Sequence, residues 1–139
     1  MINTIEIDTI TRHFLAAAVW ADAPEQSNPR ITRQAKAAAR AFCAAFIEEN
    51  MKLFLTAMKA DGYGWHNGTR NPAAAFGHDL YLTQAGHGAG FWDRDGLAFT
   101  PAGYTDTLGN LLSKKCGHGT RFFADLVFCR GWAYFRWTA

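Results

Sequence analysis

No charge of one sign dominates this chain, no long apolar run crosses it, and its few cysteines are odd in number. Each shortage excludes something. Fourteen Lys and Arg stand against twelve Asp and Glu in 139 residues, a net charge of +2. A dedicated nucleic-acid binder usually carries a dense basic stripe instead. The one basic cluster, Arg33, Lys36 and Arg40, falls at helical spacing and reads first as a solvated helix face. No window reaches eighteen apolar residues, so no membrane span is expected. The opening MINTIEIDTITRHF lacks the basic start and apolar run of a signal peptide. Cys43, Cys116 and Cys129 include no Cys-x-x-Cys, so reduced, mostly buried thiols and a cytoplasmic location are expected.

Catalytic signatures are also missing. There is no Walker loop, no Gly-x-Gly-x-x-Gly and no Gly-x-Ser-x-Gly elbow. His66, His78, His87 and His118 share the loop-rich half with Asp79, Asp93 and Asp95, but their spacing fits no zinc pattern. No metal and no cofactor are expected. Cys116 and His118 lie two apart, yet Cys116 follows an expected helix C-terminus, where the dipole disfavours a thiolate. Asp93 and Asp95 belong to Asp-Arg-Asp-Gly, which is ordinary turn chemistry.

Aromatics are what the chain has in quantity: 14% of residues, with 11 Phe and 5 Trp. They can fill a core or anchor a contact. The length fits one α+β domain spanning residues 1–139. Ile10, Phe14, Ala17 and Ala18 recur at helical spacing, which predicts a helix over 8–21 capped by Asp8 or Thr9. A proline-bearing loop follows. The alanine-rich stretch after Thr32 runs to Gly62 as a second helix, long enough to kink near Asn50. DLYLT and AGFWDR alternate like two short strands around Gly86-His87-Gly88. Residues 100–117 read as a third helix started by Thr100-Pro101. The chain closes on a second hairpin with Arg130-Gly131 at its turn. Two N-terminal helices, then hairpin–helix–hairpin, would give a four-stranded antiparallel sheet covered by helices.

The window Gly77-His78-Asp79, Tyr81-Leu82-Thr83 and Gly86 to Arg94 resembles a family of small proteins carried by phages and other mobile elements. That family's pattern is Gly-His-Asp, an aromatic, Leu-Thr, then Gly-His-Gly-Ala-Gly-Phe-Trp-Asp-Arg. The likeness covers residues 76–134, and it breaks at Cys129-Arg130-Gly131-Trp132, where an acidic-glycine turn is usual. It implies a protein that binds and inhibits a host defence complex, of the anti-CRISPR type, acting on a CRISPR effector or its nuclease. It assigns no reaction. Two alternatives stay open: a small enzyme using His78, His87 and Asp93, and a nucleic-acid-associated accessory protein using Arg33, Lys36 and Arg40. Homodimerisation is a further option.

Within the window, Gly86 or Gly88 should hold positive φ, and Phe91 and Trp92 should face opposite ways. His78 and Asp93 should bond across the first hairpin as structural partners. In the last strand, Trp132, Tyr134 and Arg136 share one face. With Arg130 nearby, they form the expected partner-binding surface, unless loop 62–72 covers it.

Overall fold

The computed structural model describes residues 2–26 and 28–137; Ser27, within the expected proline-bearing loop, and Thr138 lie outside them. Among the described residues the fold is mixed α+β, with five α-helices and two small sheets. Among the described residues no helix is long and apolar enough to cross a membrane.

Helix α1 covers Thr4–Asp22. It starts four residues before the expected position because Asn3 caps it, accepting from the Glu6 N–H at 2.7 Å. Its apolar stripe buries Ile7, Ile10, Phe14, Ala17 and Ala18. Thr32 caps α2, Arg33–Glu49, as the sequence predicts. The kink near Asn50 is a full break, and α3 resumes at Met51–Lys59. The Asn50 amide donates back to the Phe46 carbonyl at 2.9 Å, so the interruption leaves that acceptor satisfied.

DLYLT is no strand: it is the second half of helix α4, Pro72–Gln84. Asn71 caps this helix through the Ala74 N–H, Pro72 sits at its first turn, and three alanines follow. Because α4 runs through the interior, Phe76, Gly77, Leu80, Tyr81 and Leu82 are all buried and cover every side. A helix apolar all round shows no 3.6-residue stripe, and a five-residue piece of it can mimic strand alternation. Gly77 makes its close crossing with α1 feasible, since a Cβ there would lie 2.1 Å from the Ile10 carbonyl oxygen.

AGFWDR is not a strand either. It holds one 3-10 turn, Phe91–Asp93, and a second, Asp95–Leu97, follows it. The first expected hairpin, and with it the four-stranded sheet, does not exist. The third helix shrinks to α5, Leu108–Ser113, capped by Thr107 rather than started at Thr100-Pro101.

The terminal hairpin is present as expected: β4, Asp125–Cys129, pairs antiparallel with β5, Trp132–Arg136. Its turn residues Arg130 and Gly131 both have positive φ, 53° and 81°. A third strand comes from far away: β1, Arg30–Ile31, runs parallel to β5, giving the order β1-β5-β4. Beyond β1 the Gln34 side chain continues the ladder. Its amide accepts from the Phe135 N–H at 3.0 Å and donates to the Phe135 carbonyl at 2.6 Å. A separate two-stranded ribbon, β2 at Trp65–His66 and β3 at Thr69–Arg70, forms in the stretch expected to be a loop.

The aromatic excess goes mostly inward. Phe14, Phe42, Phe46, Phe54, Phe76, Phe91, Phe122 and Phe135 are buried. Phe54 meets Phe76 edge-on at 5.0 Å, and Phe46 meets Phe122 the same way at 5.2 Å. Each such pair adds about 0.5–1.5 kcal/mol beyond its area.

Candidate functional site

Two regions hold side chains that packing alone does not explain. The first is a cleft of about 780 Å³ between α1, the first turns of α4, the β2–β3 ribbon and the 3-10 turns. Its wall carries His13, His66 and His78, its floor Tyr63, Asp79 and Arg94, and its rim Trp65 and Asp95. Loop backbones meet tightly here: a Cβ on Gly96 would lie 2.4 Å from the Gly62 carbonyl oxygen.

Asp79 is the anchor. It is only 2% exposed, and both of its oxygens are used. Oδ2 accepts from the Tyr63 hydroxyl at 2.6 Å. Oδ1 accepts from Arg94 Nε at 2.8 Å and faces Nη2 at 2.7 Å. A buried carboxylate is tolerable only with such partners. Burial, then the adjacent Asp79 charge, pushes the Tyr63 phenol well above its ordinary pKa. The hydrogen bond it donates to Asp79 raises the Arg94 guanidinium above its ordinary value. Arg94 keeps a third of its side chain in solvent, and among the described residues its Nη1 has no acceptor. His13 is lowered, first by burial and then by Arg12 and His78 nearby.

Arg70 holds the ribbon against the cleft. Its guanidinium donates to the Met58, Tyr63 and Ala60 carbonyls at 2.9, 3.1 and 2.8 Å, closing the end of α3.

The second region is the outer face of the terminal sheet. Along β5, Ala133 and Phe135 turn inward and are buried, whereas Trp132, Tyr134 and Arg136 turn outward. Trp132 is 41% exposed and Tyr134 42%. Their cross-strand partners Cys129, Val127 and Asp125 lie on the same face. Arg30 stacks over Trp132 at 5.6 Å, and Arg136 reaches Asp125 at 3.4 Å. Loop 62–72 lines the cleft, so it is not a cover for this face.

The remaining expected residues scatter. His78 lines the cleft and packs at a tilt against exposed Trp20, 5.8 Å between ring centres. It makes no bond to Asp93, which is exposed; the expected pair fails because the strand that would bring them together is a helix. His87 instead meets Asp22 at 3.0 Å, and the same carboxylate accepts from the Tyr81 hydroxyl. Burial, then the bond to Asp22, raises Tyr81. Gly86 has positive φ, 77°, and Gly88 does not. Phe91 is buried and Trp92 is half exposed, facing opposite ways as expected.

His118 packs on Phe123 at 5.2 Å. Cys43 and Cys116 are buried, and Cys129 is exposed. Burial pushes Cys116 up to about 12, so it stays a thiol. Arg40 is paired with Asp8 at 2.9 Å, while Arg33 and Lys36 face solvent. Among the described residues no group of three His, Cys, Asp or Glu converges as metal ligands.

Sequence reasoning missed the roles of His13, Tyr63, Arg70 and Arg94. One signal was readable: Asn-Pro-Ala-Ala-Ala is a helix start. Continuing that helix places Asp79 on the same side as Phe76 and Leu82, where a buried acid needs a cation. Comparison with family models, curated proteins and solved structures returned no match.

Proposed function

We propose that this chain works by binding another protein through the outer face of β4 and β5. The carrying observation is the pairing of a buried inner face with an outer face of large rings: Trp132 and Tyr134 stay about two-fifths exposed beside Arg30 and Arg136. Trp, Tyr and Arg dominate interface hot spots, and rigid rings on a strand lose little entropy when covered. The resemblance to mobile-element proteins supports a host defence complex as the partner, with a CRISPR effector or its nuclease as the specific target. Inhibition would be stoichiometric, by occlusion.

The enzymatic reading through His78, His87 and Asp93 loses support, since no contact joins the three among the described residues. The accessory reading through Arg33, Lys36 and Arg40 is weakened by the Arg40–Asp8 pair.

The test is inhibition of purified CRISPR effector nucleases by the purified chain. The proposal expects one effector's DNA cleavage to fall to baseline near one equivalent. It expects a folded Trp132→Ala/Tyr134→Ala variant to leave cleavage intact. Inhibition that the double variant retains would remove the face. Absence of binding to every effector and nuclease tried would remove the target class.

A further inference from the structure

The cleft of His13, Tyr63, His66, His78 and Arg94 has no role in a reading based on the sheet face. We infer that it binds a small molecule combining a flat ring with an oxyanion, either a phosphate or a carboxylate. The donor side of the floor carries the argument. Asp79 is 2% exposed with both oxygens occupied, so what the floor offers a ligand is the guanidinium, with Nη1 open. His13, His78 and Thr69 line the same cleft and bring further polar side chains to it. The first turns of α4 also line the cleft, and the positive end of that helix adds to the attraction. A guanidinium held in place by Asp79 through Nε and Nη2 can still donate through Nη1 to a phosphate or carboxylate oxygen.

The ring requirement comes from Trp65. Its indole is 59% exposed at the rim, and its Nε1 donates to the Asp61 carbonyl at 2.7 Å, which holds the ring in place. An ordered, open indole is a stacking platform. The cleft, at about 780 Å³, falls within the size range of small-molecule sites. Asp95 opposes an anion, and its position on the rim gives the inference a signed test.

The experiment is a ¹H–¹⁵N NMR titration of the full chain with inorganic phosphate, phenyl phosphate and benzoate in parallel. Saturable shifts are expected at the amides of Gly62, Gly64 and Gly96. Phenyl phosphate or benzoate, whichever oxyanion is preferred, should bind at least tenfold more tightly than inorganic phosphate. Trp65→Ala should remove that ring advantage, His78→Gln should weaken binding about tenfold, and Asp95→Asn should tighten it several-fold. These three side chains lie on the cleft's wall and rim, so the variants keep the Asp79–Arg94 pair. Shifts confined to Arg30, Arg130 and Arg136, or no saturable shifts in the cleft with either ring compound, would overturn the inference. So would equal affinity for phosphate and phenyl phosphate. A loss of effector inhibition with the cleft titration intact would bear on the sheet face alone.

Discussion

Replacing Asp79 with Ala removes the one acceptor shared by Tyr63 and Arg94, and the cost can be worked from their surroundings. The Tyr63 residue is 3% exposed, so its hydroxyl would be left buried without a partner. That costs about 1–3 kcal/mol. Arg94 has a third of its side chain in solvent and can turn outward, so its share is discounted to about 1 kcal/mol. The sum is about 2–4 kcal/mol, which for a chain of this size is a fall in melting temperature of roughly 6–16 °C. Urea unfolding followed by far-UV circular dichroism gives the value directly. Adding Tyr63→Phe to the Asp79→Ala variant should recover about 1 kcal/mol, because the stranded hydroxyl is gone. A loss below about 1 kcal/mol for Asp79→Ala, or no recovery in the double variant, would refute this account of the cleft floor.

Three further outcomes are expected. Gly77→Ala should cost roughly 3 kcal/mol or more in urea unfolding, since its Cβ would meet the Ile10 carbonyl oxygen at 2.1 Å across the α1–α4 crossing. Gly86→Ala should cost about 1 kcal/mol, because φ is 77°, whereas Gly88→Ala should stay within about 0.5 kcal/mol by the same assay. Tyr63 and Tyr81 have raised pKa values when folded, so the stability they confer is complete below pH ~10 and is lost as pH rises above it. With both neutral in the native state and ionised in the unfolded one, unfolding free energy should fall by about 2.7 kcal/mol per pH unit there, and Tyr63→Phe should halve that slope.

How much of this was legible follows from the kind of signal each element carries. The terminal hairpin was readable because Arg130-Gly131 interrupts two alternating runs, and β5 keeps one face wet, so its pattern survives. The start of helix α2 was readable from Thr32 and the alanine run, and the length of that run pointed to a kink near Asn50, where the structure has a full break into α3. Helix α4 was misread because burial on all sides erased its stripe, leaving DLYLT to imitate a strand. That error removed the cleft from view. Asp79 and Arg94 meet across 15 residues and one 3-10 turn, and His13 arrives from α1. No sequence spacing encodes those meetings; they follow from how α1 crosses α4. The parallel pairing of β1 with β5 was equally invisible, since two residues carry no periodicity.

The sheet face can be tested without introducing a probe. Cys129 is the one exposed cysteine among the described residues, and it sits directly across from Trp132 on the outer face. Cys43 and Cys116 are buried, and burial raises both thiols, so alkylation near neutral pH reports Cys129. The decisive measurement is its alkylation rate in the free chain and in the partner-bound complex. Occlusion of the face predicts at least a tenfold slowing on binding, abolished when Trp132→Ala/Tyr134→Ala prevents assembly. An unchanged rate in a saturated complex would place the partner elsewhere and contradict the account.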